Sequence, residues 1–180
     1  MWLKELDSTW TLFLDRDGVI NERDFSGYIT NPKDFHFTNQ CLDAIKIFSS
    51  IFKNIIIVTN QQGVGKGLMA TEELNEVHSF MLEQINSYQG KISKILSATN
   101  LKGAINDRRK PLPHMALEAK ELFPEIDFSK SIMVGDTNSD ILFGKRLGMK
   151  TVLFKSKEIV TEKADIEITN LHEFALKLTL

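Results

Sequence analysis

This 180-residue chain is nearly devoid of cysteine: Cys41 is the lone thiol, so no disulfide can form within it. No apolar run approaches the roughly 20 residues needed to cross a bilayer. The opening Met1-Trp2-Leu3-Lys4-Glu5-Leu6-Asp7 lacks a basic stretch followed by an apolar core, which argues against a secretory signal. A cytoplasmic location is the economical expectation. Neither sign of charge dominates: 22 Lys and Arg against 24 Asp and Glu give a net charge of −2. With a pI near 6.1, whole-molecule attraction to nucleic acid or an anionic membrane is not expected. The four histidines (His36, His78, His114 and His172) are scattered without ligand spacing, and they read as surface or partly buried structural residues. The twelve-residue ligand spacing of an EF-hand is also missing.

What remains is ordinary globular composition, 42% hydrophobic and 26% charged, of a length that suits one domain over residues 1–180. Apolar and β-branched runs predict strands at Trp10–Leu14, Asn54–Val58, Ile92–Ala98, Ser131–Val134 and Lys150–Phe154, with an edge strand at Asp165–Thr169. Between them, helical spacing appears in Asn39–Phe52, from a Thr71 N-cap through Leu74, Val77, Met81 and Ile85, in His114–Phe123, Asn138–Leu147 and Leu171–Leu178. Gly90 is expected to close the second of these helices. Residues 21–38 lose all period and read as an ordered flap, with room for a short hairpin. Thr59–Leu68, with three glycines, reads as a loop. Strands alternating with helices predict a three-layer α/β/α sandwich around a mostly parallel sheet.

Ligands in such sheets bind beyond the carboxyl ends of the strands. The first strand ends in Asp15-Arg16-Asp17-Gly18, the second in Thr59-Asn60-Gln61-Gln62-Gly63, the fourth in Gly135-Asp136-Thr137-Asn138-Ser139-Asp140. The loop after the third reaches Arg108-Arg109-Lys110-Pro111. Each alone has a plainer reading: a turn, a capped strand exit, a solvated basic cluster, an N-cap. Converging on one edge, they supply carboxylates, a hydroxyl and cations, a set suited to Mg²⁺ and a phosphoryl group.

In these segments the sequence resembles the haloacid dehalogenase superfamily of phosphatases. More narrowly, Asp15 to Asn21, Thr59 to Gly63 and Arg109-Lys110-Pro111 resemble its histidinol-phosphate and heptose-bisphosphate phosphatase branch. The resemblance implies a HAD-like, Rossmann-like sheet without a separate cap domain, and Mg²⁺-dependent hydrolysis of a phosphomonoester through an aspartyl-phosphate. It implies Asp15 as nucleophile and Asp17 as the acid and base, its carboxyl free for protons. Mg²⁺ would be held by the Asp15 side chain, the Asp17 carbonyl and Asp136. Thr59, Asn60 and Lys110 would hold the phosphoryl oxygens, and Asp140 would orient Lys110 or a metal-bound water.

Relatives in this branch commonly carry Cys and His zinc ligands before the Arg-Lys-Pro segment. Residues 97–108 contain neither, so no zinc is expected. Lys66, Lys102, Arg108 and Arg109 could instead place positive charge near the entrance, Arg109 foremost. The chain is expected to be a monomer whose partner is a small phosphorylated substrate, most simply a sugar bisphosphate such as heptose 1,7-bisphosphate, with histidinol phosphate as the alternative. A polynucleotide-end phosphatase would need a basic, aromatic groove that is missing. A catalytically silent phosphate- or partner-binding domain would not need every acid and base the reaction requires.

Overall fold

Six segments rich in Ile, Val and Leu lie side by side, all parallel, in the computed structural model, which describes residues 2–179. They are β1 (Thr11–Leu14), β2 (Asn54–Asn60), β3 (Lys94–Ala98), β4 (Ser131–Gly135), β5 (Lys150–Phe154) and β6 (Ile166–Ile168), in the spatial order β3-β2-β1-β4-β5-β6. Central β1 pairs with β2 through Leu14↔Ile57 and with β4 through Leu14↔Val134. The sheet grows outward from β1 in both directions. Because crossovers are right-handed, that reversal sends the crossover helices of the two halves to opposite faces.

The helices are α1 (Cys41–Ile51), α2 (Gln62–Gly65), α3 (Thr71–Ser87), α4 (His114–Leu122), α5 (Asn138–Arg146) and α6 (Leu171–Leu178). Alternation along each strand feeds two cores. Leu12, Leu14, Ile55 and Ile57 pack with Phe48 of α1, Met81 of α3 and Phe174 of α6. Phe13, Ile56, Val58 and Met133 pack with Met115 of α4 and Phe143 of α5. Each such side chain, wholly buried, contributes about 1.5–3 kcal/mol of transfer free energy. This is the expected α/β/α sandwich.

Several boundaries differ from expectation. The loop after β2 contains one helical turn, α2. Helix α3 is capped at Ala70, whose N–H donates to the Glu73 carboxylate at 2.7 Å, so Thr71 lies inside the helix. Its far end is Ser87, and Gln89, at φ 65°, turns the chain before Gly90. In the flap only a 3₁₀ turn at Pro32–Asp34 and isolated bridges from Asn21 to Asp17 and Phe37 form, so no hairpin is built. No helix among the described residues is long and apolar enough to cross a membrane.

Candidate active site

Asp15 continues β1 by one residue: its N–H donates to the Val134 carbonyl at 2.9 Å, which fixes the carboxylate over the centre of the sheet edge. Gly18 then sits at φ 91°, where a Cβ would fall 2.1 Å from Asp136 Oδ2. Only glycine lets the β1 turn lie this close to the end of β4.

Lys110 is the hub of the charges. Its Nζ lies 2.8 Å from Asp15 Oδ1 and 2.6 Å from Asp140 Oδ1, and donates to the Val58 carbonyl at 2.7 Å. Burial works to lower the Lys110 pKa, but Asp140 and Asp15 overcome it and raise it above the usual lysine value. Asp140 Oδ2 accepts from the Thr137 N–H at 3.0 Å and hydroxyl at 2.6 Å, so the residue that caps α5 also orients the lysine. Of its two expected partners, the carboxylate meets Lys110.

Burial pushes the Asp15 carboxyl up to about 7, against the pull of Lys110 and with the push of the Asp140 and Asp136 charges. Burial likewise takes Asp136 up to about 6, although Arg23 opposes it. Asp15, Asp136 and Asp140 bring carboxylate oxygens within 4.8 Å of one another, and Asp136 Oδ2 is buried without a hydrogen-bond partner. An all-oxygen donor set with an unsatisfied carboxylate oxygen fits a hard divalent cation.

Asp17 departs from expectation. Its carboxylate takes two bonds from Arg16 Nη2 at 2.7 and 3.0 Å, one from Asn21 at 3.0 Å and one from Gln61 at 2.7 Å. Burial acts to raise its pKa, yet Arg16, Asn21 and Gln61 together hold it below the ordinary carboxylate range. The reason is Arg16 itself: 1% exposed, it needs an anion within reach, and Asp17 is the adjacent one. On its other side, Arg16 Nη1 lies 3.1 Å from His78 Nε2. Arginine only donates, so His78 Nε2 is the unprotonated nitrogen of a neutral ring. Burial and the Arg16 charge depress His78 to about 3.

A cavity of about 270 Å³ opens over Asp15, Asp17 and Lys110, and a wider one of about 570 Å³ adjoins it, sharing Asn60, Arg109 and Lys110. Thr59 is buried below, its hydroxyl accepting from Gln61 at 2.8 Å. Asn60 is engaged with the Lys110 backbone: it accepts from the Lys110 N–H at 2.9 Å and donates to the Lys110 carbonyl at 3.2 Å, leaving one N–H for the cavity. Arg109 lines both cavities, and Lys102 the wider one. Arg108 instead pairs with Glu118 of α4, which draws it away from the entrance. Lys66 lies 5.9 Å from the Tyr28 ring centroid.

Comparison with known proteins identifies the family. The HAD-hydrolase-like family profile matches residues 107–172. A D-glycero-alpha-D-manno-heptose-1,7-bisphosphate 7-phosphatase of Mycobacterium bovis is 31% identical over 171 residues, 93% of this chain and 90% of that protein. The chain belongs to the haloacid dehalogenase superfamily of phosphatases. A second HAD relative, the D-glycero-D-manno-heptose-1,7-bisphosphate 7-phosphatase of Chlorobaculum tepidum, is 30% identical over 84% of this chain and 81% of its own. The crystal structure of D,D-heptose 1,7-bisphosphate phosphatase from B. bronchiseptica, complexed with magnesium and phosphate, superposes with a TM-score of 0.84. It covers 94% of this chain and 98% of its own at 22% identity, a likeness of fold. The Burkholderia thailandensis enzyme of the same name gives 0.69 at 24% identity, over 94% and 98%.

Within this HAD phosphatase the strand-end residues gather as expected, and the flap adds others that local pattern does not single out. Arg23 reaches Asp136 at 2.7 Å, and the Tyr28 ring lies where a Cβ on Gly63 would stand, 2.9 Å from its nearest atom. Their segment is aperiodic, so no spacing marks them. His78 did carry a signal: it continues the buried α3 stripe four residues after Leu74 and three before Met81.

Proposed function

We propose that this HAD phosphatase hydrolyses a sugar bisphosphate, D-glycero-D-manno-heptose 1,7-bisphosphate at its 7-phosphate, through a phosphoryl group carried on Asp15, in one domain spanning residues 1–180. The observation that carries the reading is the Asp15 carboxylate, fixed at the end of the central strand with Lys110 2.8 Å from one oxygen. An Asp15 oxygen attacks phosphorus, forming the aspartyl-phosphate as the bond from phosphorus to the sugar oxygen breaks. Asp17 gives that leaving oxygen its proton. It then takes a proton from the water that attacks the aspartyl-phosphate, and inorganic phosphate leaves.

A carboxyl held ionised by Arg16 needs help to carry a proton. The arriving phosphate dianion provides it, because a nearby negative charge raises the Asp17 proton affinity. Lys110 and the Thr59 hydroxyl hold non-bridging oxygens, Asn60 offers its second N–H, and Asp140 keeps Lys110 aimed. Asp15, Asp136 and the Asp17 carbonyl would hold Mg²⁺, which supplies positive charge against the phosphoryl oxygens.

Support for a bisphosphate comes from Arg109, which lines both cavities. With one phosphoryl group over Asp15, a second anion falls in the wider cavity beside Arg109 and Lys102. The names of the relatives point to the same substrate.

The test is phosphate release with Mg²⁺ from heptose 1,7-bisphosphates, histidinol phosphate, sugar monophosphates and nucleotides, with D15N as control. Preference for a heptose bisphosphate, lost in D15N, is expected. Preference for histidinol phosphate would overturn the substrate, and undiminished turnover by D15N would overturn the nucleophile.

A further inference from the structure

Arg23 lies outside every strand-end motif, yet its guanidinium stands among the acids. Its Nη2 donates to the Asp17 carbonyl at 2.8 Å and to Asp136 Oδ1 at 2.7 Å, and lies 3.9 Å from Asp15 Oδ2. These belong to the three groups assigned above to Mg²⁺. A Mg²⁺ ion takes its oxygens at about 2.0–2.1 Å in near-ideal octahedral geometry, so one held by the Asp17 carbonyl, Asp15 and Asp136 would crowd a guanidinium nitrogen bonded to that same carbonyl. The two cations exclude each other.

The arginine is also incompletely satisfied where it sits. Its Nε is buried without a partner, as is Asp136 Oδ2 beside it. Its Nη1 reaches only Glu158, at 3.7 Å. A permanent structural arginine at a buried carboxylate uses its planar fork in paired bonds, and this one does not. Glu158, half-buried at the rim of the wider cavity, offers a second carboxylate toward which the guanidinium can withdraw.

We infer that Arg23 is a built-in competitor of the metal: it neutralises Asp15 and Asp136 before Mg²⁺ arrives and swings toward Glu158 when Mg²⁺ enters. This rests on the metal assignment in the proposed function. Two consequences follow. Arg23 weakens the apparent affinity for Mg²⁺, and it stabilises the metal-free fold by separating the mutual repulsion of the acids.

Calorimetric titration of the full chain with MgCl₂, and melting temperatures in EDTA and in saturating Mg²⁺, test it. R23Q is expected to bind Mg²⁺ about tenfold more tightly, the scale of one partly exposed ion pair no longer displaced. It is expected to melt below the wild type in EDTA and level with it in Mg²⁺. In the wild type, the Arg23 Nε–H NMR resonance is expected to shift as Mg²⁺ is added, a readout that needs no variant to fold. Equal or weaker Mg²⁺ binding by R23Q, or an Arg23 resonance indifferent to Mg²⁺, overturns the inference and leaves the metal site standing. A wild type that binds no Mg²⁺ overturns both.

Discussion

Replacing Lys110 by methionine keeps the unbranched apolar stem, one atom shorter, and removes its charge from the one place where two carboxylates depend on it. The ammonium touches Asp15 at 2.8 Å and Asp140 at 2.6 Å, and all of these groups are buried. Removing one partner of a buried ion pair costs about 3–5 kcal/mol, because the other charge is left without water or counter-ion. The acids answer by binding protons. Asp15, at about 7, and Asp136, at about 6, already lie above their unfolded value of 3.8. A carboxyl raised by folding burdens stability fully above its folded pKa, and the burden fades as pH falls toward the unfolded value. Without Lys110 the rise at Asp15 is larger, since Lys110 is what holds it down. Urea unfolding of K110M in EDTA is therefore expected to show a deficit of about 3–5 kcal/mol at pH 8 that shrinks by pH 5. The double variant K110M/D140N, with one orphaned charge also removed, is expected to recover part of it. A deficit under about 1 kcal/mol, the scale of an exposed pair, or one unchanged between pH 8 and pH 5, would refute the reasoning.

Three shorter predictions concern other parts of the site. His78 is depressed from 6.5 to about 3 by burial and the Arg16 charge, so the unfolded chain takes up its proton first. The stability it contributes is present above pH 6.5 and lost as pH falls toward 3, at about 1.4 kcal/mol per pH unit, and H78Q should flatten that slope in urea titrations between pH 6 and 4. R109A should raise KM for a sugar bisphosphate at least about tenfold while leaving a monophosphate nearly unaffected, as expected for a contact to the second anion alone; equal effects on both substrates would count against it. G18A forces alanine to φ 91° and into Asp136, so it should lose about 1–3 kcal/mol of stability and most Mg²⁺ affinity by calorimetry.

The sheet was legible because its strands are continuous apolar runs and their carboxyl ends have one destination. Asp15, Asp136, Asp140 and Lys110 could be placed together from that geometry before any contact was known. What local pattern could not carry is how each charge finds its partner. Arg108 and Arg109 are neighbours in sequence, yet Glu118 draws the first away while the second faces both cavities. Asp17 was expected free for protons on the family resemblance, which carries no information about Arg16; that arginine is fully buried and fastens to it. Asn60, expected on phosphate, also fastens to a backbone fifty residues away, which leaves one N–H for the cavity. Arg23 and Tyr28 belong to a segment whose path is decided by docking onto Gly63 and Asp136, not by any period of its own.

The two bonds between Asn60 and the Lys110 backbone give this architecture a division of labour. They pin the far end of the irregular segment 99–109 to the end of β2, as the close of β3 pins its near end. The Lys110 ammonium is therefore held in position independently of the intervening residues. That segment, which holds no cysteine or histidine, is anchored at both ends, so its length and side chains can vary while the Lys110 ammonium stays beside Asp15.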